Sequence, residues 1–252
     1  MSITALLQEI DALRASYITS PKIDEALIKK RLEQFMVENT YNSNAIEGNS
    51  LTLRETAIVL LEGATIAQKP IKDHLEAIGH KDAFEYIVDM VKDHVPLSSK
   101  TIRDIHALVL MNNHKNRGAY RKNPVEILGA AHVPPPPEQV PIPMDELMDN
   151  YNVDKRHPII KIAEFHINFE RIHPFIDGNG RCGRLILNLE LMRAKYAPVD
   201  IKFKDRDQYY SCFDDYEETG NSSKFIELIA QYELEEIKKL VHLATYAHKA
   251  YD

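Results

Sequence analysis

Two strongly apolar runs separated by a glycine-rich dozen residues restrict this chain more than any other feature. Pro158 to Arg171 contains Ile159, Ile160, Ile162, Ala163, Phe165 and Phe169, with Ile172 just beyond; Leu185 to Ala194 contains Ile186, Leu187, Leu189, Leu191 and Met192. Both have helical spacing but too many apolar positions for a helix with one wet face, so both are expected as buried helices. Between them lies His173 to Arg184, HPFIDGNGRCGR. The residue before a proline is biased out of the helical region, so the first helix is expected to end at His173. The stretch then supplies glycines for a turned anion nest, arginine forks that match phosphate oxygens, and the start of a helix, where unpaired N–H groups favour an anion. On residue chemistry alone it is a phosphate cradle, with His173 and Asp177 as candidates for base and metal ligand.

The rest of the chain has the same helical period. Ser20 before Pro21 reads as a helix start, followed by Ile23, Leu27, Ile28, Leu32, Phe35 and Met36, which predicts a helix over about 21–40. Gly48 and Asn49 are helix-stopping types, so Glu47 is expected near a helix C-terminus, where the macrodipole disfavours an acid unless a cation compensates. Thr52 and Glu55 form a possible capping box for a helix through Leu61. Further helices are expected from His74 to Lys92, after Ser98, from Asp145 to Asn150, from Asp207 to Tyr216 and from Ser223 to about Lys249. Val125 to Leu128 and His132 to Val133, around Gly129, read as two short strands with a tight connection; Pro134 to Pro137 with Pro141 and Pro143 reads as an extended surface segment. The fold class is therefore all-α with one small β-hairpin, and no composition shift marks a second domain.

Residues 178 to 183 also spell G-x-G-x-x-G, with Asp200 about 20 residues on, as in a dinucleotide fingerprint. That fingerprint follows a parallel strand, whereas the preceding segment here has a helical pattern, and no strand and helix alternation occurs elsewhere. A G-x-x-x-x-G-K-[ST] loop is absent. The net charge of −7 argues against a nucleic-acid-coating surface. Two cysteines, Cys182 and Cys212, are expected as inert thiols. The first residues lack the pattern of a signal peptide, and no window approaches about 18 uncharged apolar residues, so a cytoplasmic protein without membrane attachment is expected.

The stretch His173 to Arg184 meets every fixed position of H-P-F-x-[DE]-G-N-G-R-x-x-R, and the chain resembles the Fic family. The resemblance implies a helical core over about 51–220, with Val125, Ile127, Leu128, His132 and Val133 in a β-hairpin flap (about 125–133) that docks a target beside the active site. An N-terminal helical segment, 1–50, carries Ser43-Asn44-Ala45-Ile46-Glu47-Gly48, similar to the family's inhibitory motif [ST]-x-x-x-E-[GN]; a C-terminal helix over 221–252 packs onto the same domain.

The activity implied is adenylyl transfer, in which AMP passes from ATP to a Ser, Thr or Tyr hydroxyl of a target protein, the protein itself included, and pyrophosphate leaves. His173 would take the hydroxyl proton, Asp177 would hold Mg²⁺ between the α- and β-phosphates, and Gly178, Asn179 and Gly180 would line the phosphate nest. Arg181 would neutralise the leaving pyrophosphate, Arg184 would reach the γ-phosphate, and Tyr209 and Tyr210 would contribute to the base pocket. Phe175 is expected as a packing anchor. Glu47, with Ser43 in its motif, would pair with Arg184 and occupy the place of the γ-phosphate. Removal of AMP at the same site, a non-catalytic nucleotide- or protein-binding module, and a homo-oligomer remain open alternatives.

Overall fold

Helices account for all the regular structure among the described residues, which in this computed structural model are 2–19, 25–127 and 132–249, the last four by backbone alone. In chain order they are α1 (Ile3–Thr19), α2 (Glu25–Ile46), α3 (Leu53–Ala57), α4 (Ile71–Lys92), α5 (Ser99–Val109), α6 (Pro141–Val153), α7 (Pro158–Ile172), α8 (Asn179–Arg193), α9 (Arg206–Thr219) and α10 (Ser223–Lys249). None is long and apolar enough to cross a membrane. The Ser20-Pro21 helix start and Leu128 of the expected flap lie outside the described residues.

The two apolar runs are α7 and α8, and they pack against each other. Every residue of α8 from Arg181 to Leu191 is buried, because α2, α4, α5 and α7 all pack against it. Its apolar residues require such enclosure, and its buried polar ones are paired inside, Asn188 with the Val199 backbone and Glu190 with the Tyr151 hydroxyl. The start of α8, and with it the glycine-rich stretch, is thereby fixed against four neighbours. α1 packs along α10, which packs in turn on α7.

Local signals place several helix starts as expected. Thr52 and Glu55 close a reciprocal capping box, as do Ser98 and Thr101. After Ala57 the helix widens into a π turn, Ile58–Glu62, and stops at Gly63 in the left-handed conformation.

Four expectations are corrected. The second helix continues to Ile46 rather than about residue 40, because its polar residues find tertiary partners: Asn42 Nδ2 donates to Asp200 Oδ2 at 2.8 Å, and Thr40 Oγ1 bonds His80 Nδ1 at 3.0 Å. Such partners override weak helix propensity. The proline segment is not extended throughout, since α6 begins at Pro141; prolines in a first helical turn forgo only N–H groups that have no intrahelical acceptor. Around Val125, Ile127, His132 and Val133 no strand is present among the described residues. Pro124 and Pro134 to Pro137 cannot donate to a ladder, and the segment is fastened by side chains instead: Arg121 Nη2 donates to the Pro135 carbonyl at 2.5 Å and His132 Nε2 bonds the Arg171 carbonyl at 2.8 Å. Finally, the glycines do not form a three-membered nest. Of Gly178, Gly180 and Gly183 only Gly178 has a positive φ, of 78°, and the other two lie within α8.

Candidate active site

The site is built from the end of α7, the start of α8 and the turn between them. His173 caps α7 in the left-handed region at φ 47°, a conformation that costs a β-carbon-bearing residue about 1–3 kcal/mol and persists only when its surroundings impose it. Arg121 imposes it from another segment: its N–H donates to the Pro174 carbonyl at 2.9 Å and its Nε to the His173 carbonyl at 2.8 Å. Phe175, fully buried, stacks on His106 with ring centroids 3.6 Å apart and anchors the turn, as expected; burying such a ring contributes about 1.5–3 kcal/mol.

Donor and acceptor accounting settles both histidines. The Gly118 N–H donates to His106 Nδ1 at 2.9 Å, so the His106 proton is on Nε2, which donates to the Asp177 carbonyl at 3.0 Å. Burial keeps that ring neutral, its pKa lowered to about 4. For His173, Nδ1 lies 3.3 Å from the Glu170 carbonyl, which can only accept, so Nδ1 bears the proton and Nε2 keeps its lone pair. Burial pushes the His173 pKa below its ordinary value, and the nearby Arg121 charge adds to this. His173 is therefore a neutral, oriented base.

The first intrahelical bond of α8 runs from the Cys182 N–H to the Gly178 carbonyl at 3.0 Å, so the N–H groups of residues 179, 180 and 181 have no acceptor within the helix. Such donors at a helix start are of the kind that meet an anion, and the N-cap residue Gly178 has no side chain to cap them. Asn179 offers only this N–H, because its side chain is committed to the turn: Oδ1 accepts from the Phe175 N–H and Nδ2 donates to the Phe175 carbonyl, both at 2.9 Å. Arg181 is buried and held by Glu76 of α4 and by Asp177, each at 3.1 Å. The Asp177 side chain is half-exposed at the mouth of the turn. Among the described residues no group of three or more His, Cys, Asp or Glu side chains is gathered to hold a metal ion.

Arg184, one turn further, faces α2. Its Nε donates to Ser43 Oγ at 3.0 Å, and its Nη2 donates both to the Ser43 carbonyl at 2.9 Å and to Glu47 Oε1 at 2.7 Å. Burial opposes the guanidinium charge, but Glu47 more than compensates and holds its pKa above the ordinary value. A β-carbon on Gly180 would overlap Glu47 Oε1, so only glycine admits this carboxylate at the head of α8. Glu47 lies where the sequence places it, immediately after the last residue of α2.

These groups open onto a cleft of about 460 Å³. Of the expected site residues it is lined by Glu47, Ile127, His132, His173, Gly180, Arg184, Tyr209 and Tyr210. Ser43 and Arg181 lie beneath this surface, whereas Val133 is 80% exposed on a separate groove. Tyr209 is buried, its hydroxyl 2.8 Å from His166 Nε2 and its ring under Arg184; Tyr210 is exposed at the cleft edge. Arg121, His106, Glu76 and Glu170 were not expected here. The first three are isolated polar residues in other segments, Glu170 lies on α7 itself, and no spacing signal marks any of them. Cys182 and Cys212 are free and buried.

The geometry sets a neutral histidine beside a helix start with uncapped N–H groups and a part-exposed acid across from it. Residues 96–191 match the model of the Fic/DOC family. A curated protein from Nematostella vectensis, named protein adenylyltransferase Fic, is 32% identical over 231 residues, covering 90% of this chain and 53% of its own. A Drosophila willistoni protein of the same name is 34% identical over 89% of this chain and 45% of its own. The chain thus spans about half the length of the curated relatives it matches. Among solved structures, a Fic domain containing signaling protein from Bacteroides thetaiotaomicron superposes with a TM-score of 0.86 at 26% identity, covering 94% of this chain and 97% of that one. Fic-1 from C. elegans superposes with a TM-score of 0.83 at 28% identity, over 95% and 71%.

Proposed function

We propose that the protein transfers AMP from ATP to a hydroxyl side chain of a target protein and releases pyrophosphate. One observation carries this reading: the free Nε2 of His173 lines the same cleft as Gly180 and Arg184 at the head of α8. A base there removes the proton of an incoming Ser, Thr or Tyr hydroxyl as its oxygen attacks the α-phosphorus and the bond to the β-phosphate oxygen breaks. The N–H groups of residues 179 to 181 and the Arg181 charge meet the phosphate oxygens, on which negative charge gathers as pyrophosphate departs. Arg184, once free of Glu47, receives the γ-phosphate. Tyr210, Tyr209 and Ile127 border the remainder of the cleft, where the adenosine sits.

Asp177 fits Mg²⁺ as a single protein ligand. That ion takes one or two carboxylates together with substrate phosphate oxygens, and the half-exposed Asp177 stands beside the anion site. When bound, Mg²⁺ neutralises the α- and β-phosphate charge.

Glu47 makes the resting enzyme inhibited. Its carboxylate satisfies Arg184 and fills the space beside Gly180, so ATP binds with its phosphates displaced and in-line attack is lost. A second reading, removal of AMP from a modified target, is favoured by the same carboxylate lining the cleft with His173, where it can orient water. Incubation with α-labelled ATP and Mg²⁺ tests the assignment. Glu47→Gly is expected to label itself more than the wild type, and adding His173→Ala to remove the label. Absence of label from both wild type and Glu47→Gly would instead indicate a binding module.

A further inference from the structure

Glu170 stands three residues before His173 on α7, and its backbone carbonyl accepts the His173 Nδ1 proton. Its carboxyl is not needed for that role, yet it lines the cleft. Oε1 is buried with no hydrogen-bond partner. It lies against the α-carbon of Gly183, where a β-carbon would overlap it, and the same glycine borders the His166 ring, whose Nδ1 is also buried and unpartnered. Four of the five N–H donors of Arg184 go to Ser43, Glu47 and Tyr209, and Glu170 Oε1 receives none of them. An ionised carboxylate in this position would be a charge without a donor, facing the negative charge of Glu47. Burial accordingly lifts the Glu170 carboxyl to about 8, with Arg184 pulling against it and Glu47 reinforcing it.

We propose that Glu170 is a nucleotide-contacting residue, a neutral carboxylic acid in the cleft whose O–H donates to a phosphate oxygen of bound ATP. The inference rests on the adenylyl-transfer reading above. In that reading His173 takes the proton of the hydroxyl that attacks the α-phosphorus and Arg184 receives the γ-phosphate, and both line this cleft together with Glu170. A neutral acid there gains a charge-assisted hydrogen bond, whereas a carboxylate would repel the triphosphate. When Glu47 withdraws, the phosphates bring negative charge back to the same place, so the acid stays protonated in the complex. Gly183 has its own purpose in this arrangement, since any side chain there would displace the Glu170 carboxyl.

The other titratable groups facing Glu170 do not change charge between pH 7 and pH 9. His166 on its own helix is pulled down to about 3 by burial. Cys182 on α8 and Tyr209 on α9 are pushed well above their ordinary values by burial, Tyr210 is raised too, and Arg184 stays charged. Titration calorimetry with ATP and Mg²⁺ at those two pH values therefore tests the proposal, in a parent carrying Glu47→Gly and His173→Ala so that no turnover occurs. With Glu170 present, affinity is expected to fall about tenfold from pH 7 to pH 9, equivalent to about 1.4 kcal/mol. Glu170→Gln, an amide donor of the same shape, should remove that pH dependence. Glu170→Ala should bind about tenfold to a hundredfold more weakly than Glu170→Gln at pH 7, the loss of one hydrogen bond to a charged group. The same pH loss in Glu170→Gln, or equal affinities of Glu170→Gln and Glu170→Ala, overturns the proposal while leaving the adenylyl-transfer reading intact. A parent that binds no ATP at pH 7 overturns both. Melting temperatures of all three proteins separate a folding defect in Glu170→Ala from a binding one, and the Glu170→Gln comparison across pH decides the question in either case.

Discussion

Arg181 and Arg184 sit one turn apart on α8, both buried and both paired with a carboxylate, yet the two carboxylates are held in opposite ways. Glu76, the partner of Arg181, lies within α4 with its side chain 9% exposed, and its second oxygen accepts from Asn49 Nδ2 at 3.0 Å. Glu47, the partner of Arg184, follows the last residue of α2, is 33% exposed and precedes Gly48 at φ 91°. Withdrawing Glu76 would require α4 to move out of the core. Withdrawing Glu47 requires only the end of α2 to loosen, at a place where the helix dipole already disfavours an acid. Two chemically identical arginines thus differ in how their partners are held, one within a packed helix and the other at a helix end.

The comparison holds only if labelling reports chemistry at His173. In the Glu47→Gly background, His173→Ala is therefore expected to lower self-labelling by about 10²–10⁴-fold, the usual contribution of a positioned base. Radiolabel incorporation measures this, and an unaltered rate would detach the ion pairs from the reaction. Glu47→Gly alone should raise the rate at least about tenfold over the wild type, because ATP is then free to align with Arg184. Glu76→Ala should lower it, and if the two substitutions act in the same direction the contrast collapses.

Stability sharpens the comparison further. Glu76→Ala leaves the buried Arg181 only the half-exposed Asp177 as a counter-charge and is expected to cost about 3 kcal/mol, whereas Glu47→Ala should cost about 1–2 kcal/mol, since Glu47 is part-exposed and Ser43 and Tyr209 still accept from Arg184. Urea unfolding of both variants gives the ordering, and equal losses would make Glu47 as structural as Glu76.

The smallest effect concerns pH. His173 must be neutral to act, and its pKa is already lowered by burial, so the acid limb of the labelling rate should have its midpoint below the ordinary histidine value of 6.5. The Glu47 charge raises the His173 pKa, so Glu47→Gly should move that limb to still lower pH, whereas Glu76→Gln should leave it in place. Rate profiles of the three proteins distinguish the two acids.

Much of this was legible in the residues. The density of apolar positions in 158–172 and 185–194 required two enclosed helices, and the His-Pro step ended the first of them. Thr52, Ser98 and the acid at position 47 could each be read from local chemistry, because caps and helix ends depend on neighbours three or four residues away. The flap could not be read this way. Alternation around Gly129 suggested a hairpin, but alternation does not create ladder donors next to prolines, and the Arg121 and His132 side chains that fasten the segment have partners 14 and 39 residues away. The glycines misled for a related reason. Gly180 and Gly183 are needed for what approaches them, Glu47 and Glu170, rather than for backbone turning.

The sequence by itself determined a largely helical chain, a glycine-containing helix start and a histidine beside it, since these follow from periodicity and from contacts within one stretch. Only the tertiary structure decided that Arg121 and His106 brace the turn, that Glu76 fastens Arg181, and that Glu170 lines the same cleft as His173. Local interactions are set by a few neighbouring residues. The protonation of a buried acid and the orientation of a base are set instead by the charges, donors and excluded water that distant segments bring to one place.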